Sequence, residues 1–238
     1  MPAILNLLVL PLVGIVDTIW VGRMNDALAI AGMQAGNQVF SSAFWVVSFL
    51  PTVVAPLIAA AAASGDMDAL EDELAQAVWL GLLFGVAGSA FLLCRPQAAL
   101  SLVVPAGGAA TKHALPYIRY RALSFVPNLL ATIGFATYRG KLDVFTPLKI
   151  SIASQMLNVV LDPILIFRAG LGVAGASMAT GVSELTAGLA YVTLLTKQGV
   201  LRASKLLRVP SWDRLRPLLQ GGFAVWLRAL ALNVAFLR

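Results

Sequence analysis

Asp162 lies in the middle of an apolar stretch, Ile150–Phe167, long enough to cross a membrane. A carboxylate there costs roughly 2.5–3.5 kcal/mol on insertion scales, so it requires a partner, a water-filled cavity or a proton. Asn158 precedes it by four residues and shares its helical face. Pro163 follows, removing a backbone donor and freeing a carbonyl one turn back. Carboxylate, amide and free carbonyl together suit a proton or a small hard cation. The plainer reading is an inter-helix hydrogen bond that only holds a bundle together. Two further acids interrupt apolar segments. Asp17 lies near the far end of the first, where the alternative is a pairing with Arg23 or contact with water. Glu184 follows Thr180 by four residues, so the two share a face of the sixth segment; its alternative is a Glu that faces cavity water without a role.

These residues need membrane helices to position them, and the composition supplies them. Of the 238 residues 59% are hydrophobic and 12% charged, with a mean hydropathy of +0.86. Soluble domains run at about 45–50% apolar and about 25% charged, which marks this chain as a polytopic, all-α membrane protein. A net charge of +6 would suggest nucleic acid in a soluble domain. Here Lys197, Arg202, Lys205, Arg208, Arg214 and Arg216 gather in one stretch that reads as a cytoplasmic loop. No aromatic residues interleave with it, so no nucleic-acid partner is expected. Cys94 alone excludes an internal disulfide and is expected to be a small buried residue.

Seven apolar segments of roughly 20 residues or more are legible. They run over about Met1–Trp20, Ala27–Ala63, Leu74–Cys94, Ala114–Tyr138, Pro147–Phe167, Leu171–Leu195 and Trp212–Arg238. The second is too long for one perpendicular span and holds Pro51 and Pro56, so a kink is expected; Pro127 interrupts the fourth. Asp66–Glu73 reads as an acidic loop. A moderate Lys and Arg bias places the N-terminus in the cytoplasm. The domain reading is residues 1–196 as a six-helix lobe, 197–211 as a basic cytoplasmic loop, and 212–238 as the incomplete start of a second lobe. The first segment lacks the basic leader and cleavage site of a secretory signal.

Other motifs carry less. Gly170-Leu-Gly172-Val-Ala-Gly175 matches the glycine string of dinucleotide-binding turns, but that motif needs a preceding strand, so close helix packing is the expected role. Gly32/Gly36 and Gly81/Gly85 are similar small-residue faces. Arg139 to Pro147 reads as a turn between two spans. The only histidine, His113, is expected in a loop. No Walker A, G-x-S-x-G or metal-spaced cysteine motif occurs, so neither an enzyme, nor a cofactor, nor a pump with its own ATPase domain is expected.

Four motifs in order carry a resemblance. Pro11-Leu-Val-Gly-Ile-Val-Asp17-Thr-Ile-Trp-Val-Gly22-Arg23, Arg139-Gly140-x-x-Asp143-x-x-Thr146-Pro147, Asn158-x-x-Leu161-Asp162-Pro163-Ile164 and Gly170-Leu-Gly-Val-Ala-Gly175-Ala-Ser-Met-Ala-Thr180 resemble the multidrug and toxic compound extrusion (MATE) transporters, DinF-like branch. The resemblance implies two pseudo-symmetric six-helix lobes working by alternating access. It implies export of small, often cationic, organic substrates in exchange for H⁺ or Na⁺, in a plasma, bacterial inner or plastid envelope membrane. It also implies a cation or proton site at Asp17, Asn158, Asp162 and Thr180, with Glu184, where Gln is more usual, as a further titratable group. Phe135 stands where the family commonly has an amide, and Val13 where some members have tyrosine. The second lobe is expected to be missing from this chain. The alternatives are a truncated, transport-inactive lobe, or a lipid-linked oligosaccharide flippase of the same superfamily, which should line its cavity with several arginines.

Overall fold

A computed structural model of the chain describes residues 14–104, 108–206, 210, 212, 215–216, 218–223 and 227. All regular structure among them is helical. Helix α1 covers residues 14–22. It is followed by α2 (Ala27–Val47), α3 (Phe49–Ser64), α4 (Met67–Cys94), the short α5 (Pro96–Leu100), α6 (Thr111–Leu123) and α7 (Phe125–Gly140). Then come α8 (Phe145–Pro163), extended by a π-helical turn at Ile164–Arg168, α9 (Val173–Lys197) and the short α10 (Ala203–Leu206). α4, α8 with its π turn, and α9 are each long and apolar enough to span a bilayer, and α2 with α3, bent by 42°, are so when taken together.

The bends have a local cause. A proline ring clashes with the carbonyl four residues earlier and cannot donate to it, so the helix yields upstream of the proline. The second apolar segment breaks at Ser48, three residues before Pro51, and the fourth breaks at Ser124, three before Pro127. Both breaks carry the same pattern, Ser48-Phe-Leu-Pro51 and Ser124-Phe-Val-Pro127. In each, the serine hydroxyl donates to the carbonyl three residues back, Trp45 or Arg121, at 2.8 Å. The two broken spans lie side by side and parallel, α2 on α6 and α3 on α7. Gly32 lies against His113 and Gly36 against the Tyr117 ring, each so closely that a β-carbon would come within 2.6 Å of the partner side chain. That close approach is what the small-residue faces were expected to permit.

Several boundaries differ from the sequence reading. The acidic stretch is not a loop: Asp66 caps α4 through the Ala69 N–H at 2.9 Å, and the remaining acids lie on the first turns of the helix, where negative charge suits the macrodipole. His113 lies on α6 and not in a loop, with Nε2 3.1 Å from Asp26 Oδ2. Cys94, expected to be buried, is exposed at the end of α4. Gly170 and Gly172 have positive φ (66° and 56°) and turn the chain from the π helix into α9, with no strand before them. The first apolar segment is described only from residue 14, so Pro11 and Val13 lie outside the described residues, as does most of the seventh segment.

The basic stretch after α9 is partly helical and is tied down. Lys205 Nζ on α10 lies 2.8 Å from Asp72 Oδ1 and 3.3 Å from Glu71 Oε2, and Arg202 Nη2 lies 3.2 Å from Glu71 Oε1. Glu71 is 2% exposed, so these cations compensate a charge that water does not reach. The bond with Asp72 chiefly, opposed by burial and aided by Glu71, holds the Lys205 ammonium above its ordinary value. A raised amine favours the folded form below the unfolded value, near 10.4, and that contribution is lost only as pH rises through the folded value. The amides of α10 should therefore stay protected from hydrogen exchange between pH 6 and 9, and lose protection above about pH 10.5. High salt and Lys205→Met should release them at any pH.

The turn between α7 and α8 is closed by Asp143. Its carboxylate accepts the N–H groups of Phe145 and Thr146, both at 3.0 Å, and the Thr146 hydroxyl at 2.6 Å. Burial acts to raise this carboxyl, but the Thr146 and Phe145 bonds and nearby Lys141 outweigh it and hold it below the ordinary value. Its contribution is present above the unfolded value, near 3.9, and is lost as pH falls further. Asp143→Ala should cost about 1 kcal/mol by the usual magnitude for a capping residue. Exchange at the Phe145 and Thr146 amides should accelerate in that variant at neutral pH, and in the wild type only below about pH 4.

Candidate ion site

Asp162 and Asn158 lie on the buried face of α8, 0% and 1% exposed. α9 covers that face, and α1 brings Asp17 to it. With its amide turned so that donors meet acceptors, Asn158 donates to Asp17 Oδ1 at 3.0 Å and accepts from the Thr180 N–H at 3.1 Å. The Thr180 hydroxyl lies 3.5 Å from the same amide and donates to the Ala176 carbonyl at 3.0 Å. Asn158 thus links α1 to α9 across α8. Asp17 and Asp162 are close enough for their carboxyl groups to interact. Neither oxygen of Asp162 receives a hydrogen bond from a described residue. The four residues expected as a site, Asp17, Asn158, Asp162 and Thr180, therefore form one cluster. Arg23, the alternative partner for Asp17, instead stacks over the Trp20 ring at 4.6 Å.

The cluster borders a cavity of about 360 Å³ between α1, α2, α6, α8 and α9. Asp17 and Thr180 line it, with Gln34, Asn37, Gln155 and Ser183 among its polar walls. Glu184 also lines it, but not as a lone acid. The Glu184 carboxylate makes a forked ion pair with Arg121 on α6, Nη2 to Oε1 at 2.7 Å and Nη1 to Oε2. The guanidinium lies over the Phe40 ring at 3.9 Å and donates to the Ser124 hydroxyl, at the break between α6 and α7. Arg121 was missed in the sequence reading. The available signal was a pair of opposite charges, one in the fourth apolar segment and one in the sixth, each too costly to leave alone.

A second, more apolar cavity of about 330 Å³ shares Glu184 and is walled by Phe135, Ile150, Ala187 and Tyr191. Phe135 makes this wall aromatic. Gln155, Ser183 and Glu184 belong to both cavities.

Comparison with known proteins gives the chain its family. The MatE family model matches residues 2–164. The chain belongs to the MATE family. Protein DETOXIFICATION 44, chloroplastic, of Arabidopsis thaliana is 30% identical over 253 residues, an alignment covering 99% of this chain and 46% of that protein. DNA damage-inducible protein F of Escherichia coli (strain K12) is 29% identical over 236 residues, covering 98% of this chain and 49% of the relative. Among solved structures, a MATE crystal structure in the bent conformation superposes with a TM-score of 0.86 at 23% identity, over 100% of this chain and 53% of the other. The fold is thus that of a MATE lobe. The chain spans about half the length of the relatives it matches. MATE proteins are membrane transporters, and the apolar helices of this one fit that setting.

Proposed function

We propose that this chain forms the ion-coupled lobe of a secondary antiporter that exports small organic compounds in exchange for H⁺ or Na⁺. Asp17, Asn158, Asp162 and Thr180 hold the coupling ion. The observation that carries this reading is Asp162, fully buried, with both oxygens free of described donors and facing a second carboxyl. Two facing carboxyls in a low dielectric cannot both stay charged without compensation, so a proton or a cation between them is the stable arrangement. Asn158 reports the loading state to α9, because its amide bonds Asp17 and Thr180 at once. Loading frees the helices to repack, and unloading returns them, in alternation with substrate. The acid-lined cavity suits cationic, amphipathic substrates. Among the described residues one arginine lines it, which speaks against the flippase reading.

In this proposal residues 1–196 are the lobe, 197–211 a cytoplasmic inter-lobe segment, and 212–238 the beginning of the second lobe. The second lobe is a required partner, and a plasma, bacterial inner or plastid envelope membrane the site of action. No cofactor and no catalytic step enters. The test is titration of the chain in lipid nanodiscs with Na⁺ at fixed pH and with acid in K⁺, followed by tryptophan fluorescence. A saturable response to one ion supports the site; indifference to both sinks it. In vesicles holding both lobes, the same ion should drive efflux of a fluorescent organic cation.

A further inference from the structure

Arg121 and Glu184 take no part in the reading above, yet they border the cavity on which it depends. The pair crosses from α6 to α9, and the guanidinium is restrained from three directions, by the Glu184 fork, the Phe40 face and the Ser124 hydroxyl. Arg121 also lies within electrostatic reach of Asp17, which lines the same cavity. One cation therefore faces two acids, Glu184 and Asp17, and the second of these is paired with Asp162. Glu184 holds both of its terminal nitrogens, while among the described residues no cation is in contact with Asp17 or Asp162.

A buried cation has one unit of charge to share. Held by Glu184, it leaves the two aspartates in need of an outside cation. Released from Glu184, it would supply part of that charge itself. We propose that Arg121 is a positioning residue for ion loading, an internal counter-ion kept away from the Asp17–Asp162 pair by Glu184. Glu184 thereby sets how strongly the pair attracts its ion. The inference rests on the reading of Asp17 and Asp162 as the ion site. Tyr117, on the same wall, is the remaining titratable group that faces the cavity.

Charge arithmetic gives this device a signature that a structural role does not share. Glu184→Gln removes the acid that holds the guanidinium, leaves a net positive charge beside the pair, and should raise the half-saturating Na⁺ concentration about tenfold. In a pH titration the same variant should require a more acidic pH for loading. Arg121→Gln removes the cation, leaves Glu184 uncompensated, and should shift both readings the opposite way by a similar factor. The double variant restores the wild-type charge and should return both readings to within about twofold. Arg121→Lys keeps the charge and should stay close to wild type.

Each variant is titrated as the intact chain in nanodiscs after size exclusion shows a single folded species. Should Arg121→Gln not fold, Glu184→Gln and the double variant decide: ion affinity lost in the first and recovered in the second supports the inference. Shifts of the same sign in both single variants, no shift at all, or no recovery in the double overturn it. The wild type and Asp162→Asn separate the two readings. A wild type that answers neither ion overturns both. A wild-type response that Asp162→Asn abolishes, together with single variants that fail the opposite-sign pattern, overturns this one alone.

Discussion

Asp162→Asn should abolish the ion response of the chain and leave it folded. The substitution keeps the shape of the side chain and removes its charge from a site that is 0% exposed and receives no described hydrogen bond. A lone Asp17, already bonded by Asn158, is stable without a further cation. The half-saturating Na⁺ concentration, or the proton concentration in a pH titration, should rise at least about a hundredfold, the equivalent of two decades or about 2.8 kcal/mol. Thermal stability should stay level or rise, because replacing a buried uncompensated charge by a neutral isostere removes a desolvation cost. In vesicles containing both lobes, ion-driven export should stop while passive substrate binding persists. Asp162→Glu keeps the charge one methylene further along and should retain a weakened response. An Asn variant that still couples export to the ion would remove Asp162 from the site.

Gly175→Val should be the most destabilising substitution at a helix contact near the site. A β-carbon at residue 175 would lie 2.6 Å from the Leu165 carbonyl carbon and 2.7 Å from its oxygen. Those are backbone atoms of the π turn, so no rotamer change can relieve the clash and the helices must separate. Overpacking of this kind costs about 1–3 kcal/mol, occasionally more. The effect should also reach the ion site. Thr180 lies on the same helix, and its N–H donates to the Asn158 amide oxygen at 3.1 Å. We expect a melting temperature several degrees lower in detergent together with weaker ion affinity. Gly181→Ala is the control: its nearest neighbour would be the Ser124 β-carbon at 3.6 Å, ordinary contact, and both properties should be unchanged.

The acids of the proposed ion site were legible because each is anomalous where it stands. A carboxylate inside an apolar helix is expensive, so Asp17, Asp162 and Glu184 announced themselves; the four-residue spacing added Asn158, and the family resemblance added Thr180, which spacing had placed only beside Glu184. Their convergence could not be read from spacing, since it depends on α1, α8 and α9 packing together. Arg121 escaped notice because it stands two residues from Arg119 in a polar-looking opening to its span. Only the fold reveals that its partner lies on α9. Helix breaks were expected at prolines and fell three residues earlier, at Ser48 and Ser124, because the proline disturbs the turn before it. The acids from Asp66 to Glu73 looked like a loop by charge. They open a helix because Asp66 caps it and the others favour its N-terminal dipole.

The paired Ser-Phe-x-Pro breaks carry a mechanical consequence. A single bent helix can swivel in many directions, but two bent parallel helices packed half against half define a crease. Gly32 lies against His113, Gly36 against Tyr117 and Phe44 beside Phe125, and this register sets the breaks about a turn and a half out of step. The crease therefore runs obliquely across the pair. α9 lies on both α6 and α7, and α4 on α3, α6 and α7, and neither is broken. They act as splints across the fold line. Any change in the bend must slide one side of the crease along α4 and α9, and Ser124 puts the Arg121–Glu184 clasp at the point where that sliding begins.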